Sequence, residues 1–263
     1  INIGTSVLCS QYLGARMHKN MVQVVGVSLI LNLVFGLFVS AILHYGATSL
    51  LSMMGLRPEL MEYGVSYMKI VGAFAFFQAI SLTISASLRS ANKAVYPMMV
   101  TVVVNILNII GNYSLIFGKF GMPALGVEGA AISTAFARGV SMVILFVILF
   151  RKHIPRFPLS YFCPFPFVEL KNLLKIGVPS AGENMSYSFS QVVLTYFINM
   201  LGNEALATRT YVVNIVMFVY LFAIAMAQGG AICIGHLVGE RKIHAAYLLG
   251  KYVMRISILV SLV

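Results

Sequence analysis

Val22–Leu43 runs for 22 residues without a charged side chain, and Val95–Phe117 does so for 23. A backbone crossing about 30 Å of hydrocarbon must satisfy all its own N–H and C=O groups, which some 20 apolar residues achieve only as an α-helix. Mostly apolar runs of similar length occupy Val65–Leu88 (with Lys69 near one end), Val127–Phe150, Ile176–Leu201 and Thr210–Leu237, the second and third carrying charged residues taken up below. Ile1–Leu13 reads as the tail of an earlier helix, and the chain closes at the start of another. The expected fold class is all-α, a polytopic transmembrane helical bundle. With 60% hydrophobic and 10% charged residues, an ordinary soluble domain, about a quarter charged, is excluded. Both ends look cut through helices, so the chain reads as an internal fragment.

The net charge of +11 sits in short loops. No basic stretch is interleaved with aromatics on a soluble surface, so nucleic acid is not an expected partner. Alternate loops carry eleven lysines and arginines (Arg16, Lys19, Arg89, Lys93, Arg151, Lys152, Arg156, Lys171, Lys175, Arg241, Lys242), while the intervening loops carry three, Arg57, Lys119 and Arg209. Cytoplasmic loops are enriched in these residues, which places the first set inside. The longest connection, 151–171, contains Pro155, Pro158, Pro164 and Pro166 and reads as a cytoplasmic linker. It would join part of an N-terminal bundle, 1–150, to part of a C-terminal bundle, 172–263. Gly4–Arg16 resembles Gly229–Arg241, each a helix ending in glycine with arginine two residues on, at an offset of 225. Six spans lie between, so the two copies share one orientation, as in duplicated transporters related by an axis along the membrane normal.

All seven acidic residues are glutamates. Six (Glu59, Glu62, Glu128, Glu169, Glu204, Glu240) fall in expected loops or helix ends, leaving Glu183 as the one candidate for a buried acid. It lies eight residues past Lys175, roughly 12 Å along a helix and near mid-membrane. A bare carboxylate there must be protonated or paired with a cation, states that H⁺ or Na⁺ can cycle. Pro179 favours a bend just before it. Ser186 and Ser190 share its face, with Tyr187 and Gln191 beside them. The structural alternative is a kink with a protonated glutamate bonded to a neighbouring helix.

Asn105, Asn108 and Asn112 form one stripe, which suits either interhelical glue or the lining of a wet cavity. Arg138, eleven residues into its span, is expected to face the bundle interior or a cavity and to have a partner. Tyr211, Asn214, Met217, Tyr220 and Gln228 give another span a mixed content that fits adaptable ligand contact or plain core packing. Cys9, Cys163 and Cys233 are too scattered for a disulfide framework or metal site. Catalytic motifs such as HExxH and GxSxG do not occur, so an intramembrane enzyme has little to work with.

Several segments resemble the multidrug and toxic compound extrusion (MATE) transporters. Leu88–Met98 resembles the LRxxGxxxxPM loop between that family's fourth and fifth helices, with Asn92 in place of the glycine. Asn105–Gly118 and Gly121–Thr134 resemble its fifth and sixth helices. Gln11–Ala15, Gly177–Asn184 and Leu237–Gly239 are similar to its second, seventh and eighth. The resemblance implies two six-helix bundles opening alternately, of which this chain covers the second helix to the start of the ninth. It further implies a bacterial inner-membrane, monomeric antiporter exporting cationic or amphipathic drugs against Na⁺ or H⁺. No cofactor is implied, and the only metal suggested is Na⁺ at Glu183. The candidate cavity residues are Glu183, Asn184, Tyr187, Gln191, Asn105, Asn108, Asn112, Arg138 and Asn214. A lipid-linked oligosaccharide flippase of the same superfamily is the alternative, though it would be expected to show several cavity arginines. A membrane enzyme or scaffold is a weaker one.

Overall fold

The computed structural model describes residues 1–53, 58–154, 161, 165–200 and 203–261. Among these the secondary structure is helical: α1 (Asn2–Gly14), α2 (His18–Tyr45), α3 (Ala47–Met53), α4 (Pro58–Ala73), α5 (Ala75–Ser90), α6 (Val95–Phe117), α7 (Gly126–Ile148) with a π-turn at Leu149–His153, α8 (Phe167–Met200), α9 (Asn203–Gly239) and α10 (Ile243–Ser261). Among the described residues, four helical stretches, His18–Tyr45, Val95–Phe117, Gly126–His153 and Tyr211–Gly239, are long and apolar enough to cross a membrane, and the bent pair Pro58–Ala73 and Ala75–Ser90 makes a fifth if taken as one broken span. The linker residues Pro155, Arg156, Pro158, Cys163 and Pro164 lie outside the described residues, as does Arg57.

Two expectations need correction. Val65–Leu88 is not one straight span, because α4 and α5 meet at 45° around Phe74, whose φ of −107° and ψ of 18° leave the helical region. The 65–88 run is apolar on either side of the break, so hydropathy alone could not register it. In addition, α8 begins nine residues earlier than Ile176 and spans 34 residues. It is long enough to cross a membrane, but its Ser, Asn, Gln and Glu content keeps it out of the apolar set.

The chain forms two compact units. One comprises Asn2 and Val22–Phe167 and is built around α7. Small residues of α7 are buried on two faces, Ala131 with Ala135 and Gly129 with Ser133 and Ala137. Such residues let backbones approach closely where no hydrophobic effect drives helices together. A methyl group at Gly129 would strike the Leu115 carbonyl of α6, one at Gly111 would strike the Ser133 hydroxyl, and one at Gly72 would lie 2.6 Å from Leu43 Cβ. Asn92, in the glycine position of the loop motif, has a φ of 57°, a left-handed conformation that asparagine tolerates.

The other unit comprises Ile1, Ile3–Met21 and Val168–Val263. Here α1 crosses α9. A methyl at Gly14 would strike the His236 carbonyl, one at Gly239 the Gln11 carbonyl, and one at Gly235 the Ser10 hydroxyl. With the 225-residue offset of the sequence repeat, Gly14 maps to Gly239, Gln11 to His236 and Ser10 to Gly235. The contacts are therefore reciprocal about a two-fold axis that passes through Ser10 and Gly235, the signature of an isologous interface. Both helices end alike. Ala15 N–H and Glu240 N–H each donate 2.9 Å to Gln11 and His236, and Arg16 and Arg241 follow at φ 59° and 61°.

Candidate functional site

Glu183 stands at the centre of α8, about 25 Å from either end at 1.5 Å per residue. Every residue from 181 to 190 is exposed, so Glu183, Asn184, Ser186, Tyr187 and Ser190 occupy a stretch of helix uncovered on all sides. No described residue hydrogen-bonds the Glu183 carboxylate, while Asn184 donates back to the Ser180 carbonyl at 2.8 Å. Two turns on, Gln191 Oε1 accepts a 3.0 Å bond from Arg209 Nη2 of α9, and Arg209 also donates to Thr195 Oγ1. Arg209, placed in a loop by the sequence, is thus a helix residue binding α8 to α9. Asn214 on α9 is exposed.

The buried acid is another one. Glu169, in the first turn of α8, is 4% exposed. Tyr12 Oη donates to its Oε2 at 2.7 Å and Asn20 Nδ2 to its Oε1 at 2.8 Å. The expectation that only Glu183 could be buried was therefore wrong. Glu169 does occupy a helix end, where the dipole favours an acid, but the start of α2 and the end of α1 cover it. Its two donors are 149 and 157 residues away in sequence, so no local pattern announced them.

The asparagine stripe divides. Asn108 Nδ2 reaches Thr134 Oγ1 of α7 at 3.4 Å, its carbonyl accepts from Ser133 at 3.2 Å, and Asn112 Nδ2 donates to Asn108 Oδ1 at 3.1 Å. Asn108 thus joins α6 to α7, and Asn112 bonds it from within α6. Asn105 is exposed. A further polar cluster escaped the sequence reading: Asn32 Nδ2 donates to Thr83 Oγ1 at 2.7 Å, and both lie against Asn2 Oδ1, at 3.3 and 3.2 Å. Arg138 is partly buried and lines a cavity of about 240 Å³ with Leu43, Tyr67, Met68, Val71, Gly72 and Ala75. Among the described residues, no group of three His, Cys, Asp or Glu side chains is placed to hold a metal ion.

Long apolar helices, close-packed at glycine and carrying amides, scattered arginines and one central carboxylate, define a multi-pass membrane protein whose polar groups line helix faces rather than a soluble pocket. The MatE family pattern matches residues 1–114 and 179–263, and the chain belongs to the MATE family of transporters. It is 42% identical over 247 residues to the uncharacterized transporter YisQ of Bacillus subtilis, which covers 94% of this chain and 54% of that one. It is 29% identical to the probable multidrug resistance protein NorM of Thermotoga maritima, over 86% of this chain and 49% of that relative. The chain thus spans about half the length of the relatives it matches. Among solved structures, 99% of it superposes with a TM-score of 0.87 on 57% of a MOP superfamily transporter from Pyrococcus furiosus, at 26% identity. The reversed polarity of that protein's binding pocket has suggested a different function for it.

Proposed function

We propose that this chain is the central part of a secondary antiporter of the bacterial inner membrane that exports cationic or amphipathic compounds in exchange for H⁺ or Na⁺. Its relatives named for multidrug resistance support the export role. The observation that carries the coupling mechanism is the position of Glu183, the one acid at the middle of a membrane-length helix whose surroundings supply no described counter-ion. Lipid cannot solvate such a group, so protein or a water-filled cavity must cover it. In that setting the carboxylate is neutral when protonated and needs a cation when ionised. Proton or Na⁺ occupancy then competes with a cationic cargo for the same oxygens, and binding one releases the other. Asn184, Tyr187, Gln191 and Asn214 supply neutral polar and aromatic contacts for that cargo, the combination that suits varied flat cations.

The test is Glu183→Gln in the full-length protein that carries this chain. It should insert and accumulate normally and lose gradient-driven ethidium efflux. Undiminished ethidium export by that variant defeats the coupling role.

A further inference from the structure

In the unit that holds Glu183, α1 runs beside the first half of α8 and crosses the end of α9. Gly4, Thr5, Leu8, Cys9 and Ser10 of α1 are all buried. A methyl group at Gly4 would lie 3.0 Å from the Leu173 carbonyl of α8, and one at Gly177 would lie 3.4 Å from Ile1 Cα. The α1 contact therefore reaches Gly177, six residues and about 9 Å short of Glu183 along α8. Toward α9, Gly14 meets the His236 backbone, Gly239 the Gln11 carbonyl and Gly235 the Ser10 side chain. Backbones this close leave no path for water between them. One polar link completes the junction: Tyr12 Oη donates to Glu169 Oε2 at 2.7 Å, while Asn20 Nδ2 donates to Oε1 at 2.8 Å.

The forces on this junction are balanced. No hydrophobic effect presses helices together in lipid, so its cohesion comes from close contact and the Glu169 link. Its rim opposes closure, because Arg16 after α1 and Arg241 with Lys242 after α9 line one basin of about 670 Å³ with His236, and Glu240 is the acid among them. The bond from Lys242, and more weakly the charges of His236 and Arg16, hold the Glu240 carboxyl below the usual carboxylate range, so this acid feels cations from both helix ends. The lysine and arginine distribution assigns these ends to the cytoplasmic side. An exchanger needs a closure there that can open, since a coupling acid in contact with both compartments at once would let H⁺ or Na⁺ run down its gradient without cargo. We propose that α1 is the cytoplasmic seal below Glu183, latched by Tyr12 and Asn20 on Glu169 and parting from α8 and α9 when the acid is presented to the cytoplasm. This rests on the transport reading above and adds to it the segment that controls access.

The experiment reads the labelling rate of a cysteine at Ser186, one turn past Glu183, by a membrane-impermeant maleimide. It uses the full-length protein in vesicles of either orientation, with Cys9, Cys163 and Cys233 replaced. Tyr12→Phe, which removes one bond of the latch, should raise labelling from the cytoplasmic face at least threefold and lower it from the outer face. Glu240→Gln, which leaves the packing intact and adds net positive charge at the rim, should act in the same direction. Ser10→Cys with Gly235→Cys provides a lock, since a Cβ at Gly235 would lie 2.9 Å from Ser10 Cβ, within about 1 Å of the separation a disulfide spans. Oxidation of that pair should suppress cytoplasmic labelling, and a reductant should restore it. Cytoplasmic labelling that ignores the lock or Tyr12→Phe overturns the proposal. So does a rise from both faces, which marks a loosened fold instead of an opened seal. Ethidium export by the oxidised pair at the wild-type rate defeats the seal alone, whereas labelling that responds as expected in a protein that exports nothing leaves the seal standing and defeats the transport reading.

Discussion

Replacing Glu169 by alanine should destabilise the protein more than any other single polar truncation in α8. The carboxylate is 4% exposed and accepts two short bonds, 2.7 Å from Tyr12 Oη and 2.8 Å from Asn20 Nδ2. Hydrogen bonds to a charged group are each worth about 1.5–3 kcal/mol, and a buried donor left without an acceptor loses its solvation as well. Tyr12 and Asn20 are only partly buried, so water can repair some of the loss. A cost of roughly 2–4 kcal/mol follows, or about 5–10 °C in the midpoint of thermal unfolding. Glutamine keeps one acceptor but turns an amide N–H₂ toward a donor, so Glu169→Gln should fall between alanine and wild type. Thermal unfolding of purified full-length variants in a Cys233→Ser background, since Cys233 is exposed, followed by dye labelling of the buried Cys9, gives the midpoints. Tyr12→Phe should cost about 1–2 kcal/mol in the wild type and clearly less in the Glu169→Ala background, where the shared bond is already gone and only the hydroxyl's contact with Asn172 is left to lose. Additive effects of the two substitutions, or an alanine midpoint within 1 °C of wild type, would refute the assignment.

Other consequences follow from the close contacts. Gly239→Val and Gly14→Val should each force α1 and α9 apart and, because the contacts are reciprocal, produce matching losses of thermal midpoint; a marked inequality argues against the two-fold crossing. Gly111→Leu should drive a side chain into Ser133 and lower stability by about 1–3 kcal/mol, as overpacking generally does. Asn108→Leu removes the interhelical Asn108–Thr134 bond and the Asn112–Asn108 bond within α6; interhelical bonds average about 0.6 kcal/mol in membranes, so the midpoint should move by only a few degrees. Arg209→Met should free Gln191 and Thr195 and increase proteolytic cleavage at the α8–α9 connection; unchanged cleavage kinetics would show that these bonds do not hold the pair.

The sequence was readable where the signal is local. The limits of α6 could be read directly, because an uncharged run begins after Lys93 and ends at Gly118, whose φ of 66° closes the helix in the left-handed region. Asn92 stood in the glycine position of the resembled loop motif, and its φ of 57° shows the backbone conformation that position takes. The glycine-and-arginine endings of α1 and α9 were legible as a repeat, and the reciprocal contacts give that repeat a physical purpose: each helix crosses the other with a glycine against its partner's backbone carbonyl. The break at Phe74 was not legible, since both halves of the run are equally apolar. The burial of Glu169 was not legible either, because it depends on donors brought in by the tertiary fold.

The two acids of α8 show why composition cannot assign roles. Glu169 and Glu183 are fourteen residues apart on one helix, about 21 Å along its axis. A ranking by depth in the apolar run selects Glu183 and passes over Glu169, which lies near the end. Depth, however, measures how much a bare charge would cost, and the role depends on what has been supplied to offset that cost. Glu169 has two donors at bonding distance and almost no exposure, so its chemistry is complete within this chain. A group already satisfied gains little from binding anything more. Glu183 has no described donor and an exposed flank, and a mid-span carboxylate in that condition must take its partner from elsewhere, as a proton, a metal cation or a charged cargo. The same reasoning separates Asn108, spent on Thr134 and Asn112, from Asn105, which is exposed on the same helix. In a membrane, where polar groups are scarce and expensive, the ones the fold leaves without a described partner are the ones with capacity to bind.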